Sequence, residues 1–245
     1  MNLKGKGAIV TGAARRVGRA IALALAERGA DVVVHYHRSE EDARETVREI
    51  EVRGVRALAV RADLGEVREI ERLIEEAVRF LGHLDVLVNN ASVFFRTPFG
   101  SITEEQWDLN LDVNLKAPFF CAQYAARVMQ QQGGGKIINI ADWAGFRPYA
   151  GYIPYCVSKA GLIALTQVLA KTLAPTILVN AVAPGPVLLP EEYGEEETRA
   201  IIEATPLKRL GSPEDVARAV LFLIEGSDFI TGHTLVVDGG RLIGS

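Results

Sequence analysis

Apolar and polar positions along the chain alternate between two periods. GAIV (7–10) and VVV (32–34) are short unbroken apolar runs edged by polar or glycine positions, the pattern of strands buried on both faces. Between them, VGRAIALALAERGA carries apolar residues at helical spacing, so the first 37 residues read as strand, helix, strand. The alternation then repeats. SEEDARETVREIEVRG reads as a helix, VRALAVRADL as a strand, VREIERLIEEAVRFLG as a helix and LDVLVNNA as a strand. A long helix is expected over 104–131, broken by Gly133 to Gly135, after which GGGKIINIA supplies a strand beside LDVLVNNA. A helix over 152–174 leads into the strand TILVNAVAP, which Pro184 ends. SPEDVARAVLFLI offers Ser212 as N-cap and Pro213 at the first helical position, and HTLVVDGG closes the chain as a last strand and turn. With no repeat, low-complexity tract or linker, the expectation is one α/β domain over 1–245. Its sheet is doubly wound and flanked by helices, with ligands beyond the carboxyl ends of the strands.

Composition narrows the class. A chain of 245 residues that is 49% hydrophobic can bury one sizeable core. Its 27 Lys and Arg stand against 31 Asp and Glu, with no long basic run, which gives no electrostatic case for nucleic-acid binding. No apolar run is seen to approach about 20 residues, and the N-terminus enters a strand directly, arguing against a membrane span or a secretory signal. A cytoplasmic enzyme is expected. Cys121 and Cys156 lack a paired motif and read as packing residues, and no His, Cys or Asp cluster has metal-ligand spacing.

The first strand-to-helix turn carries the clearest binding signal. Gly12 and Gly18 permit a tight turn and close backbone approach to a pyrophosphate, which the helix N-terminus favours with amide donors and its dipole. Arg15, Arg16 and Val17 complete the turn, and the arginines can bind phosphate or stay solvated. Arg16 stands where a further glycine would be expected. At the exit of the second strand, His37, Arg38 and Ser39 offer donors and positive charge for a 2′-phosphate where a carboxylate would favour an unmodified ribose. NADPH is therefore expected over NADH. Ser39 can instead cap the next helix, and Asp63, ahead of Leu64, either accepts an adenine amino hydrogen or forms a surface turn. Asn89, Asn90 and Ala91 would let the chain turn beneath a dinucleotide, with a simple Asx turn as the alternative.

A proton-transfer site lies downstream. Tyr155 and Lys159 are four residues apart, so on a helix the phenol and the ammonium share a face, and a nearby cation favours the phenolate. Asp142 follows a predicted strand, either as a turn-forming acid or as a partner of Tyr155. Asn114, mildly unfavourable inside a helix, points to a polar network or a local backbone irregularity. Phe94 either closes an apolar cleft or packs into the fold, and Trp143, Phe146 and Pro148 line an aromatic site or a packed loop. Residues 185–205, rich in Gly, Pro and acids at the start, are a candidate substrate-binding loop with a short helix.

Over nearly its whole length the chain resembles the short-chain dehydrogenase/reductase family. The resemblance rests on the N-terminal turn, Asp63-Leu64, Asn89-Asn90-Ala91, Asn114, Tyr155 with Lys159, Pro184-Gly185 and Asp238-Gly239-Gly240. It implies a seven-stranded Rossmann-like domain, often a homotetramer, that transfers hydride between a nicotinamide cofactor and a small-molecule substrate. Tyr155 would be the catalytic phenol, Lys159 would bind the nicotinamide ribose and tune it, and Asn114 would support a relay water. Two departures stand out: Arg16 replaces the third turn glycine, and Asp142 replaces the usual catalytic serine. With TGAARRVGRAIA, HYHRS, NNASVFF, IINIAD and YIPYCVSKAG, the pattern is similar to the pteridine reductase subgroup. That similarity implies Arg16 beside cofactor phosphates and pterin, His37, Arg38 and Ser39 on the 2′-phosphate, Phe94 stacked on the pterin, and Asp142 working with Tyr155. A carboxylate would repel the oxyanion of carbonyl reduction unless protonated, whereas a C=N reduction needs a proton on nitrogen. The expected reaction is thus NADPH-dependent reduction of a dihydropterin or dihydrofolate. The alternatives are a 3-oxoacyl-carrier-protein reductase, which would more naturally keep a serine at position 142, another carbonyl, quinone or sugar reductase, and a non-enzymatic NADPH-binding regulator.

Overall fold

A computed structural model describes residues 1–189 and 193–244. Seven strands, β1 (Gly7–Val10), β2 (Asp31–Tyr36), β3 (Ala57–Arg61), β4 (Val86–Asn89), β5 (Gly135–Ile140), β6 (Ile177–Pro184) and β7 (Thr234–Val237), form one parallel sheet in the order β3-β2-β1-β4-β5-β6-β7. Among the described residues, eight α-helices accompany them: α1 (Arg16–Glu27), α2 (Glu40–Glu51), α3 (Val67–Leu81), α4 (Glu104–Leu111), α5 (Ala117–Gln131), α6 (Ile153–Leu173), α7 (Glu195–Glu203) and α8 (Pro213–Glu225). This is the doubly wound, Rossmann-like α/β fold.

Strand alternation distributes the core over both faces. Ala8, Val10, Val32 and Val34 pack with Ile21 and Leu25 of α1 and Val220 and Leu223 of α8. Ile9, Val33 and Leu87 point the other way, into Ile70 and Leu73 of α3 and Ala122 and Met129 of α5. Neither face is left for water, which is why these strands read as continuous apolar runs. The chain travels outward from β1 through β2 to β3 and then crosses back to β4 on the other side of β1. The crevice at that reversal, above the carboxyl ends of β1 and β4, is where such a sheet binds ligands.

Two local expectations change. The long helix over 104–131 is three pieces: α4, a π-helical turn at Asp112–Lys116, and α5. Asn114 sits in the π turn, fully buried, so the residue that was awkward for a helix marks the place where the helical ladder is interrupted. The helix expected over 152–174 forms as α6, and against the expectation of no membrane-length apolar segment its 21 residues include a window of mean hydropathy 1.4, long and apolar enough by composition to cross a membrane. More than half of that window is buried within the fold, and the helix packs on β6 and α4, so core packing accounts for its apolarity. At α8 the expected start holds: the Ser212 side chain accepts from Asp215 N–H and Asp215 returns the bond, with Pro213 in the first turn.

Ile9 is fully buried between the sheet and α3, so Ile9→Ala should lower the unfolding free energy by about 2–5 kcal/mol in urea titration. Val52, which is 87% exposed, should tolerate alanine within about 0.5 kcal/mol.

Candidate active site

The turn after β1 is shaped by contacts too close for side chains. Gly12 has φ +62, and a Cβ on it would lie 2.9 Å from the Ala91 Cα. A Cβ on Gly18 would lie 2.2 Å from the Gly12 carbonyl oxygen and 2.4 Å from Asn90 Nδ2. Asn90 fills the gap the glycines leave, its Nδ2 donating to the Thr11 and Gly12 carbonyls at 2.9 and 3.0 Å. Thr11 Oγ1 accepts from the Asn90 and Ala91 amides at 2.9 and 3.0 Å. The turns after β1 and β4 are thus one bonded unit. Asn89 lies below it as the last residue of β4, donating to Asn139 Oδ1 at 2.9 Å rather than facing the crevice.

His35, to which the sequence reading gave no role, braces the same unit. Its Nδ1 accepts from the Gly12 amide at 3.0 Å, so Nε2 carries the proton and donates to the Ala62 carbonyl at 3.1 Å. Burial lowers its pKa to about 4, so it stays neutral and keeps that tautomer. Arg16 begins α1 at φ +56, a left-handed conformation that glycine adopts freely, and its Nη2 donates to the Leu188 carbonyl at 2.7 Å. The residue in the expected glycine position therefore ties the turn to the 185–205 segment.

A cleft of about 620 Å³ opens above these turns, lined by Gly12, Arg15, Arg16, Val17, Gly18, His37, Arg38, Ser39, Asp63, Leu64, Asn90 and Ala91. It gathers the residues expected from β1 through β4 into one concavity. Ser39 holds the N-cap position of α2 without making a side-chain capping bond, which leaves its hydroxyl for the cleft. Asp63 does form the Asx turn, accepting from Gly65 N–H at 2.9 Å, and its other oxygen lies 3.6 Å from His37 Nε2. Pro184 ends β6 and Gly185 follows it, where a Cβ on Gly185 would lie 2.7 Å from Asp238.

The proton-transfer residues meet at the end of β5. Asp142 N-caps a short 3₁₀ turn, Trp143–Gly145, with Oδ1 accepting from the Ala144 amide at 2.7 Å. The Tyr155 hydroxyl donates to its Oδ2 at 2.7 Å. Lys159, one helical turn on, is buried with Nζ donating to the Ile140 carbonyl at 2.9 Å and lying 5.6 Å from the Tyr155 ring centre. Burial raises the Asp142 carboxyl above its ordinary range against the Ala144 and Tyr155 bonds and the Lys159 charge, and lowers Lys159 to about 8. Other influences outweigh the easing of the phenol toward phenolate that was expected from Lys159. Burial, then the Asp142 charge, hold the Tyr155 proton on well above the usual phenol range. Asn114 connects this site to the turn after β4: its Oδ1 accepts from Val93 N–H at 2.8 Å and Ser92 Oγ at 3.0 Å, and its Nδ2 donates to Val93 O and Ser158 Oγ.

Phe94, 38% exposed, lies flat on Tyr152 at 4.5 Å and edge-on to Tyr155 at 4.7 Å. Tyr149 and Trp143 continue the row of rings, and Arg241 covers the Trp143 ring. The Tyr193 hydroxyl meets that of Tyr152 at 3.1 Å, and Arg96 pairs with Glu197 of α7 at 3.5 Å, so the 185–205 segment borders the site. Within that segment, 190–192 lie outside the described residues. Neither Tyr152 nor Tyr193 was singled out in the sequence, because nothing in spacing announces that residues 41 apart meet.

Comparison with known proteins identifies the chain. The family model described as enoyl-(acyl carrier protein) reductase matches residues 12–241. The 3-oxoacyl-(acyl-carrier-protein) reductase of Staphylococcus aureus is 40% identical over 239 residues, covering 96% of this chain and 97% of that one. A short-chain alcohol dehydrogenase from Sinorhizobium meliloti 1021 superposes with a TM-score of 0.95 at 38% identity over 100% of this chain and 99% of its own. A short chain dehydrogenase from Burkholderia cenocepacia J2315, solved with NADP, gives 0.92 at 37% over 98% and 99%. The chain belongs to the short-chain dehydrogenase/reductase family, and its cofactor is NADP(H).

These relatives overturn the closer resemblance to pteridine reductase, and with it the dihydropterin or dihydrofolate substrate, in favour of carbonyl reduction. The physical reason is local. Most of the motif that suggested the subgroup lines the dinucleotide cleft, which carbonyl reductases share. Its two pterin contacts are engaged within the protein, Arg16 on Leu188 and Phe94 on Tyr152. The objection from Asp142 concerned a charged carboxylate, and burial favours the neutral acid.

Because a methyl group on Gly18 collides with backbone oxygen, Gly18→Ala should raise the NADPH dissociation constant about tenfold or more in a fluorescence titration, without unfolding the chain.

Proposed function

We propose that the chain is an NADPH-dependent reductase of a carbonyl, of the 3-oxoacyl thioester or a related ketone class, in which Tyr155 and Asp142 together deliver the proton. The observation carrying this reading is the 2.7 Å bond from the Tyr155 hydroxyl to Asp142, with buried Lys159 behind it, beside the NADP(H) cleft. The names of the relatives support the substrate class.

The residues of the cleft fit the cofactor: Gly12, Arg15, Arg16, Val17 and Gly18 would hold the diphosphate. His37, Arg38 and Ser39 would take the 2′-phosphate, Asp63 and Leu64 the adenine, and Asn90 and Ala91 would lead toward the nicotinamide half, which Pro184, Gly185, Tyr155 and Lys159, outside the lining of the cleft, would receive as the family resemblance implies. The cradle that a Cβ on Gly18 would fill supports that fit. When bound, NADPH would supply the hydride for the carbonyl carbon. The oxygen then gathers negative charge and requires donors and a proton. Tyr155 donates that proton, and a neutral Asp142 donates toward Tyr155 as it leaves, replacing it through the same 2.7 Å contact. A carboxylic acid in place of the family's serine thus acts as donor and proton reservoir, provided it is protonated. Lys159, 5.6 Å from the Tyr155 ring centre, favours the negative charge that proton donation leaves on the phenol, and Asn114 keeps the Ser92–Val93 turn in register with α6.

Two outcomes test this. NADPH oxidation should proceed with an acetoacetyl thioester and not with dihydrobiopterin or dihydrofolate, and Asp142→Ser should retain carbonyl turnover within about tenfold. Absence of carbonyl turnover in the wild type would sink the proposal. The raised Asp142 pKa sets the sign of the second outcome: wild-type kcat should fall as pH rises through the carboxyl's titration. Asp142→Asn, which keeps a donor at every pH, should lose that limb and retain only one near the Lys159 value of about 8.

A further inference from the structure

A second, smaller hollow of about 250 Å³ adjoins the cofactor cleft, sharing Tyr36, His37 and Arg38 with it and adding Glu40 and Arg61. Arg61 belongs to a different strand from the turn that was read for cofactor choice. It ends β3, in register with Tyr36 at the end of β2, so the two strands deliver Arg61 and the His37–Ser39 turn to the same height. Its Nε donates to the His37 carbonyl at 3.3 Å, which turns the guanidinium toward that turn and leaves both terminal nitrogens without a bond among the described residues.

The charges around the hollow are unbalanced. Arg15, Arg16, Arg38 and Arg61 border the two cavities, and none pairs with a carboxylate among the described residues, whereas arginines elsewhere, such as Arg19, Arg44, Arg56 and Arg72, do. The nearby acids are occupied: Glu40 by Arg44 at 2.6 Å, Glu69 by Arg72 at 2.6 Å, and Asp63 by the Gly65 amide with His37 beside it. A concavity with free guanidinium donors on two sides and no free carboxylate suits a phosphate dianion, which an arginine fork binds with two parallel bonds.

We propose that Arg61 is a binding residue for the 2′-phosphate of NADP(H), forming with Arg38 a two-sided clamp in which β3 supplies one jaw and the turn after β2 the other. Preference for the phosphorylated cofactor then depends on a residue outside the segment that ordinarily announces it. The bland alternative is that Arg61 only braces the His37 carbonyl, a positioning role that would affect every adenosine ligand alike.

Calorimetric titration with 2′,5′-ADP and with 5′-AMP separates the two, since the ligands differ only in the 2′-phosphate. Arg61→Gln should weaken 2′,5′-ADP about tenfold or more and leave 5′-AMP within about twofold, and Arg38→Gln should behave likewise. The slope of log affinity against log salt for 2′,5′-ADP should become shallower in each variant. Equal weakening of both ligands, or 2′,5′-ADP binding within twofold of wild type in Arg61→Gln, overturns the clamp. Wild-type protein that binds the two ligands equally would overturn the 2′-phosphate site as a whole.

Discussion

The bond network that joins the turn after β1 to the turn after β4 is the constraint on which the site depends. Asn90 reaches across to two carbonyls of the first turn, Thr11 reaches back to two amides of the second, and Gly18 leaves the space in which Asn90 fits. Polar groups in such a place need partners, and here each turn supplies those of the other. The same network sets the floor of the cofactor cleft, because the backbone that approaches itself this closely leaves its upper face open. His35 extends the brace to β2 and β3 through Gly12 and Ala62.

From that floor the chemistry is built by burial. Lys159, Tyr155 and Asp142 lie within one small volume, and desolvation acts on all three, raising the pKa of the acid and the phenol and lowering that of the ammonium. The substitution of a carboxyl for a hydroxyl does not force a change of reaction class when the surroundings favour the neutral acid. A charge argument made from residue type alone leaves out burial, which works against the ionised carboxylate.

Arg16 shows how a departure from a motif becomes an attachment. A side chain at a glycine-like φ carries a cost of order 1 kcal/mol, and the bond to Leu188 offsets it while linking the turn after β1 to the 185–205 segment. Tyr152 with Tyr193, and Arg96 with Glu197, add two further links between that segment and the site.

The sequence by itself determined the layers, the strand-helix alternation, the phosphate turn, the Tyr155–Lys159 pair and the preference for NADP(H). These depend on periodicity, on glycine and on a four-residue helical spacing, all of which are local properties of a chain. Tertiary structure decided what depends on distant neighbours. The π turn at Asn114 arises where the side chain of a helical residue is claimed by the Ser92–Val93 loop and Ser158, none of which is near in sequence. The apolar length of α6 acquires its meaning only from the strand and helix packed against it. The upward pull on the Asp142 carboxyl follows from burial, which no residue type carries on its own.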